Sequence, residues 1–244
     1  NYTIDIKGLK WQKDSSWGNY YITRVKDPGM PIDMEKAMIY SDNIYFAQLA
    51  LMIGGDTFVQ KAKDFGIGET LPLRYGVKDS QLANDTRISN DILLADTGYG
   101  QGEVLLNIMN LNKAYSVFIN EGDIVNPRLV LDDTDIDRKS IISKEVADEI
   151  FNMLLKVVEN DDGTGHGAYI KGKTIAGKTG TAEVPVDGEN SSDLEELGWF
   201  VAIDKSEDTP YIISMMVENV KDRGGSKVAV EKVRDFILDY SSNK

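Results

Sequence analysis

The sequence has no cysteine and a single histidine in 244 residues. Without cysteine the chain can form no disulfide, no thiolate nucleophile and no cysteine-ligated zinc site. One histidine disfavours a zinc site, and it allows a Ser-His-Asp triad only if His166 is itself the base. His166 lies in the glycine-rich run 163–167, so we expect it to be a solvated loop residue.

Basic side chains and long apolar runs are also scarce. Lys and Arg number 27 against 40 Asp and Glu, which gives a formal net charge of −13. Phosphate binding needs clustered Lys and Arg, so this balance argues against a nucleic acid partner. No run of about 18 apolar residues exists, and we expect no membrane span in this sequence. The chain opens with Asn1 and shows no signal peptide pattern, which leads us to expect a fragment or a processed product.

The apolar pattern predicts helices first and strands later. The first 25 residues alternate weakly, as in short strands or an extended loop. Helices are expected at 33–39, with Asp33 as N-cap, and at 44–53, 57–65, 107–120, 143–160 and 228–240. Strands of an antiparallel meander are expected at 174–184, 198–204 and 211–220. This order predicts an α+β fold rather than a βαβ sheet.

Two short strings carry the functional signal. Ser41-Asp42-Asn43 precedes a predicted apolar helix, and Lys178-Thr179-Gly180-Thr181 lies in a predicted strand. The first string alone could be a helix N-cap, because all three residue types favour that position. S-D-N followed by K-T-G is, however, a pattern of serine β-lactamases and penicillin-binding proteins.

With their flanks, these strings give a broad likeness to one family. The runs are S-D-N-I-Y-F-A-Q-L-A at 41–50, L-L-A-D-T-G-Y-G-Q-G-E at 93–103, A-G-K-T-G-T-A-E at 176–183 and G-W-F-V-A at 198–202. The chain resembles the transpeptidase domain of class B penicillin-binding proteins over nearly its whole length. W-Q-K-D-S-S-W-G at 11–18 is similar to the low-affinity, methicillin-resistance type of Gram-positive bacteria. The resemblance implies a serine β-lactamase/DD-transpeptidase-like fold, an antiparallel sheet with a helical subdomain.

The same resemblance implies a catalytic role for three residues in serine acyl transfer. Ser41 would relay a proton between lysines and the leaving amine. Asn43 would hydrogen-bond to the substrate amide. Lys178 would add positive charge that favours the deprotonated forms of the relay and attracts the substrate carboxylate.

Three further residues are implied to bind substrate. Thr179 and Thr181 would present hydroxyls to that carboxylate. Gly180 has no Cβ, so the substrate backbone could lie against the strand. The backbone N–H of Thr181 would form half of the oxyanion hole.

The nucleophile of the family, the serine of S-x-x-K, is missing from the expected place. The one S-x-x-K match is Ser241 to Lys244, which we reject because it ends the chain and lies downstream of both other motifs. We therefore expect residues 1–244 to be the C-terminal bulk of one transpeptidase domain whose serine precedes Asn1. Such a chain should not be acylated by penicillin on its own.

The resemblance also implies partners and a location. The parent protein would act on D-Ala-D-Ala stem peptides of peptidoglycan and bind β-lactams, with no metal or organic cofactor. It would be anchored at the outer face of the bacterial cell membrane. Alternatives are a serine β-lactamase or β-lactam sensor domain, and a non-catalytic peptidoglycan-binding or scaffolding module. The sequence does not indicate an oligomeric state.

Two other features have simpler explanations. The glycine cluster at 98–102 lacks G-x-G-x-x-G spacing, so we expect no dinucleotide site there. Trp11, Trp17 and Tyr99 could stack on sugars, although packing roles are favoured.

Overall fold

The computed structural model describes residues 2–85, 87–130, 137–185, 194–206 and 210–243. The chain divides into two compact units, Asn1–Asp148 and Glu149–Lys244, and each is described by itself. Helices and antiparallel strands are both present, as the α+β expectation requires. Among the described residues, no helix has both the length and the low polarity that a membrane span requires.

The first unit is mainly helical. Its helices are α1 (Met34–Tyr40), α2 (Asn43–Ile53), α3 (Gly55–Asp64), α4 (Asp91–Gly98), α5 (Ile108–Ser116) and the start of α6 (Lys144–Glu159). Two short antiparallel pairs accompany them, β1 (Lys10–Trp11) with β2 (Ile22–Thr23) and β3 (Asp123–Val125) with β4 (Arg138–Ser140). Four of these helices begin after an Asp or Asn whose side chain accepts a backbone N–H, namely Asp33, Asp42, Asn90 and Asn107. This local capping explains why the starts of α1, α2 and α5 lie close to the predicted positions.

The core of the first unit forms around α2. Ile44, Tyr45 and Ala47 are buried there. Trp17 belongs to the same cluster, with Trp11 and Tyr99 packed against it, so the packing role expected for these aromatic residues is confirmed. The C-terminal end of α2 is, in contrast, exposed to solvent.

Met52 and Ile53, at this end, are 63% and 46% exposed. The apolar composition of α2 predicts a helix at the centre of the core. This prediction is correct only for the first turns of α2.

The second unit is built on a three-stranded antiparallel sheet. Its elements are the rest of α6, β5 (Ile175–Pro185), β6 (Leu194–Asp204), β7 (Tyr211–Val217) and α7 (Lys227–Ser242). The strand order is β5-β6-β7, which confirms the predicted meander. Val230 and Val233 of α7 pack with Phe200 of β6 in one buried cluster. Helix α7 thus covers one face of the sheet.

Two local features differ from what the sequence pattern indicates. Helix α4 was not predicted as a helix, although Asn90 caps it by accepting from the Leu93 N–H at 2.9 Å. His166 was expected in a solvated loop, but it begins a short 3₁₀ helix, His166–Ala168. Its Nδ1 lies 3.0 Å from the Val158 carbonyl oxygen, and its ring stacks on Tyr169.

Candidate active site

Ser41 lies in the tight turn between α1 and α2. Its φ and ψ are both 54°, the left-handed conformation that residues other than glycine seldom adopt. Its N–H points to the Met38 carbonyl oxygen at 3.3 Å. A left-handed serine costs of the order of 1–2 kcal/mol, so neighbouring contacts must hold the turn.

Asp42 performs the helix capping in this string. Its Oδ1 accepts the Tyr45 N–H at 2.9 Å, as an N-cap residue does. The capping alternative for S-D-N is thus correct for the middle residue alone. Ser41 instead ends α1 as its left-handed C-cap, with its N–H directed to the Ala37 and Met38 carbonyl oxygens. Helix capping does not account for the side chain of Asn43, which follows the N-cap.

Two residues of the preceding segment bind this turn, and the sequence did not point to either. The Asn43 Nδ2 donates to the Thr23 carbonyl oxygen at 2.9 Å. The Arg24 Nη1 donates to Asp42 Oδ2 at 3.0 Å, with side chains only 2% and 1% exposed. No local pattern marks Arg24, because its partner is 18 residues away.

The K-T-G-T string lies on β5, an edge strand. In the described parts of the chain, β5 pairs with β6 and with no other strand. Thr179 is opposite Phe200 and Lys178 is opposite Val201. Side chains alternate between the two faces of a strand, so Thr179 lies on the face that α7 covers, with Phe200. Lys178 lies on the other face.

Lys178 has an unusual charge environment. Its side chain is partly buried, and desolvation lowers the pKa of Lys178 from 10.5 to about 8. Its Nζ donates to the Thr179 carbonyl oxygen at 3.0 Å. The ammonium group is therefore held close to the edge strand and can lose its proton only a little above neutral pH.

The two threonines differ in their surroundings. Thr179 is 8% exposed, and its Oγ1 donates to Oγ1 of Thr164 at 2.7 Å. Thr181 is exposed. Thr164 belongs to the glycine-rich run 163–167, whose composition indicates only a loop.

The two glycines of β5, Gly177 and Gly180, differ in the space available for a side chain. A Cβ on Gly177 would lie 2.7 Å from both Phe200 Cζ and the Val201 carbonyl oxygen. A Cβ on Gly180 would meet only Trp199 Cβ, at 3.4 Å. Packing within the protein therefore requires glycine at 177 and does not require it at 180.

The glycine cluster at 98–102 is explained by backbone packing and turns. A Cβ on Gly98 would lie 2.6 Å from Ala50 Cβ, and Gly100 and Gly102 have positive φ. Within the described ranges, no three Asp, Glu, His or Cys side chains form a group that could hold a metal ion.

The rejected S-x-x-K match lies at the end of α7. Ser241 Oγ donates to the Ile237 carbonyl oxygen at 2.8 Å, inside the last turn of this helix. Lys244 lies outside the described residues.

The comparisons with known proteins agree on one family. The family model described as "Penicillin binding protein transpeptidase domain" matches residues 1–238. "Penicillin-binding protein 3" of Bacillus subtilis is 46% identical over 232 residues, which are 94% of this chain and 34% of that protein. "Peptidoglycan D,D-transpeptidase MrdA" of Haemophilus influenzae is 27% identical over 245 residues, covering 87% of this chain and 36% of that protein.

A solved structure shows the same fold. A crystal structure from Atopobium parvulum DSM 20469, which carries the name peptidoglycan glycosyltransferase, matches with a TM-score of 0.84 at 23% identity. The match covers all of this chain and 58% of that one. The chain spans about a third of the length of the curated relatives just described.

Proposed function

The chain belongs to the family of penicillin-binding protein transpeptidase domains, and from this premise we propose that it is part of a peptidoglycan D,D-transpeptidase. The observation that carries the proposal is the family match over residues 1–238, which includes both the S-D-N and the K-T-G-T strings. The proposed reaction is cross-linking of cell-wall stem peptides by serine acyl transfer, at the extracytoplasmic side of the membrane. β-Lactams would acylate the same serine.

The proposed chemistry needs a nucleophile and a proton relay. A serine hydroxyl attacks the carbonyl carbon of a D-Ala-D-Ala bond, an ester forms, and the terminal D-Ala leaves as an amine that takes up a proton. The amine of a neighbouring stem peptide then attacks the ester, forms the new amide and releases the serine. In this proposal Ser41 passes the proton, Asn43 holds the substrate amide, and Lys178 supplies positive charge.

The substrate carboxylate would be bound at β5. Lys178 and Thr181 lie on opposite faces of β5, so the carboxylate would lie along the open edge of this strand. There the Lys178 ammonium would provide the charge and the exposed hydroxyl of Thr181 would donate to the carboxylate. The hydrogen of Thr179 points to Thr164, but a pair of hydroxyls can reverse its direction. If Thr164 becomes the donor, Thr179 can turn its own hydrogen to the carboxylate. The backbone N–H of Thr181 would face the developing oxyanion.

The nucleophilic serine is proposed to come from an S-x-x-K segment outside these 244 residues. Two points support this: the S-x-x-K match inside the chain has its serine bonded into the last turn of α7, and the relatives are about three times as long as the chain. The 244 residues would then form the larger part of one domain, and a membrane anchor would belong to the rest of the parent protein.

The test uses the gene product that carries these 244 residues, treated with fluorescent penicillin. We expect a long-lived covalent adduct, and a Ser41→Ala variant should be acylated at least about a hundredfold more slowly, as expected for loss of a proton relay. Ser140→Ala, at an exposed position on β4, is the matched control and should react normally.

Other outcomes would overturn the proposal in distinct ways. Rapid release of hydrolysed penicillin would identify a β-lactamase. Binding without a covalent adduct would favour a non-catalytic peptidoglycan-binding module, the alternative suggested by the missing S-x-x-K serine.

A further inference from the structure

We propose that Arg24 is a positioning residue for the Ser41–Asn43 turn, holding the turn through the carboxylate of Asp42. The inference rests on the proposed function in one respect only, namely that Ser41 and Asn43 act on the substrate. The geometric part, that Arg24 sets the conformation of the turn, can be tested without any ligand.

The guanidinium of Arg24 is buried, and each of its three nitrogens donates a hydrogen bond. Its Nε donates to the Gly8 carbonyl oxygen at 2.9 Å, and its Nη1 donates to Asp42 at 3.0 Å. Its Nη2 donates to Asp27 Oδ1 at 2.9 Å and also to the Ile6 carbonyl oxygen. One side chain therefore joins the chain near residues 6–8, the segment 24–27 and the S-D-N turn.

Asp42 connects Arg24 to the turn. One of its oxygens caps α2 through the Tyr45 N–H, and the other receives Arg24. The carboxylate is thereby held at both oxygens. The backbone of Asp42, directly after Ser41, is held as well, because its N–H donates to the Ala37 carbonyl oxygen at 2.9 Å. Since Ser41 has an unfavourable left-handed conformation, a fixed neighbour on its C-terminal side is the kind of restraint that it needs.

A second bond from the same segment reaches the other end of the turn. Thr23, the residue before Arg24, accepts the Asn43 Nδ2 at 2.9 Å. The segment Thr23-Arg24 thus contacts both Asp42 and Asn43. Two attachment points one residue apart restrict rotation of the turn more than either bond alone, as is required where catalytic groups must lie within fractions of an ångström.

Arginine is the residue type that this position requires. The fork geometry of a guanidinium lets it donate to several acceptors in fixed directions, whereas a lysine ammonium is a point charge on a flexible stem. Arg24→Lys is therefore expected to keep the charge and lose the directional bonds.

The experiment measures the turn and ligand binding separately. The conformation of Ser41 is followed in the full 244-residue chain by NMR, through the strong intraresidue Hα–HN NOE of a residue with positive φ. Binding is followed by titration with N-acetyl-D-Ala-D-Ala. For Arg24→Lys we expect loss of the Ser41 signal and about tenfold to hundredfold weaker binding, the loss typical of a misplaced site group.

A double variant separates positioning from charge balance. Arg24→Met combined with Asp42→Asn leaves no unpaired buried charge and keeps a good N-cap residue, so it should stay folded. We expect it still to lack the Ser41 NOE and to bind the ligand as weakly as Arg24→Lys. Lys113→Met is the control in the same unit, because Lys113 is a buried cation paired with Glu69 and does not contact the turn.

The outcomes distinguish the two hypotheses. If the double variant and Arg24→Lys both keep the Ser41 NOE and bind normally, Arg24 merely neutralises Asp42 and the inference is overturned. A loss of the NOE and of binding in Lys113→Met would also overturn it, because general destabilisation would then explain the effect. If the wild-type chain shows the NOE but binds no ligand, the proposed role of Ser41 and Asn43 in holding substrate fails, and the positioning role is judged by the NOE alone.

Discussion

Burial of Lys178 disfavours the charged form that its proposed role requires. Desolvation disfavours the ammonium form and lowers the pKa of Lys178 to about 8. The protonated form still dominates at pH 7 and is the minor form at pH 9. A carboxylate bound to the Lys178 ammonium should therefore lose this ionic interaction over the pH range in which Lys178 loses its proton.

We predict that the affinity for N-acetyl-D-Ala-D-Ala falls about tenfold between pH 7 and pH 9, because only protonated Lys178 attracts the carboxylate. The ligand carboxyl group stays ionised throughout, so it adds no pH dependence. NMR titration of the 244-residue chain at several pH values measures the effect. Lys178→Met should bind weakly with a flat profile, and a flat profile in the wild-type chain would refute the assignment.

Gly177 and Gly180 should respond differently to replacement by alanine. Gly180 has room for a Cβ and Gly177 does not. We predict that Gly180→Ala changes the free energy of unfolding by no more than about 0.5 kcal/mol and yet weakens binding of the same peptide, because the methyl group would meet the substrate backbone.

Gly177→Ala is the matched control for this prediction. It should destabilise the chain by about 1–3 kcal/mol, since the new methyl group would overlap Phe200 and the Val201 carbonyl. Denaturant unfolding and peptide titration of both variants give the comparison. Unchanged peptide affinity in Gly180→Ala would show that the glycine has no binding role.

The packing of helices α2 and α4 depends on a single small residue. They approach closely at Gly98, where an added Cβ would lie 2.6 Å from Ala50 Cβ and 2.8 Å from the Phe46 carbonyl oxygen. Backbone atoms cannot move aside as a flexible side chain can, so the contact depends on glycine.

We predict that Gly98→Ala lowers the free energy of unfolding by about 1–3 kcal/mol through overpacking. Gly76→Ala is the control, because a Cβ there would meet no atom within 4 Å and Gly76 has no positive φ. Urea denaturation measures both variants. Equal stability of the two would mean that the α2–α4 contact is not tight in solution.

The elements themselves were largely predictable from local signals. Asp33 and Asn107 were expected to begin helices and do so, because a cap is made within four residues of sequence. Helix α4 was missed, although Asn90 was available as the same kind of signal. Its apolar run at 92–95 is short and is soon followed by the glycine cluster at 98–102, so no helical period is visible.

At the scale of the whole molecule, the net charge of −13 contrasts with the anionic ligand that we propose. A negatively charged protein must bind such a ligand through a local positive charge, and Lys178 on the edge strand provides one. Long-range repulsion between the net negative charge and the ligand is weak at physiological salt, because interactions beyond about 8 Å are largely screened.

For the 244-residue chain we predict no covalent adduct with fluorescent penicillin, because the S-x-x-K serine of the family is absent before Ser41. Gel fluorescence and intact mass spectrometry measure this directly. The gene product that carries these residues serves as the positive control. An adduct on the 244-residue chain, mapped to any serine, would overturn both this prediction and the proposed source of the nucleophile.

The sequence by itself determined the family, the α+β class and the strings that carry the chemistry, because these depend on residue order and on short-range periodicity. Only the tertiary structure showed that Asp42, and not Ser41 or Asn43, caps α2, and that Ser41 is left-handed. It also brought Arg24 to Asp42 and Thr164 to Thr179. These contacts join residues 15 or more positions apart, and a local pattern cannot specify them, because burial and folding of the chain decide which distant polar groups must find each other.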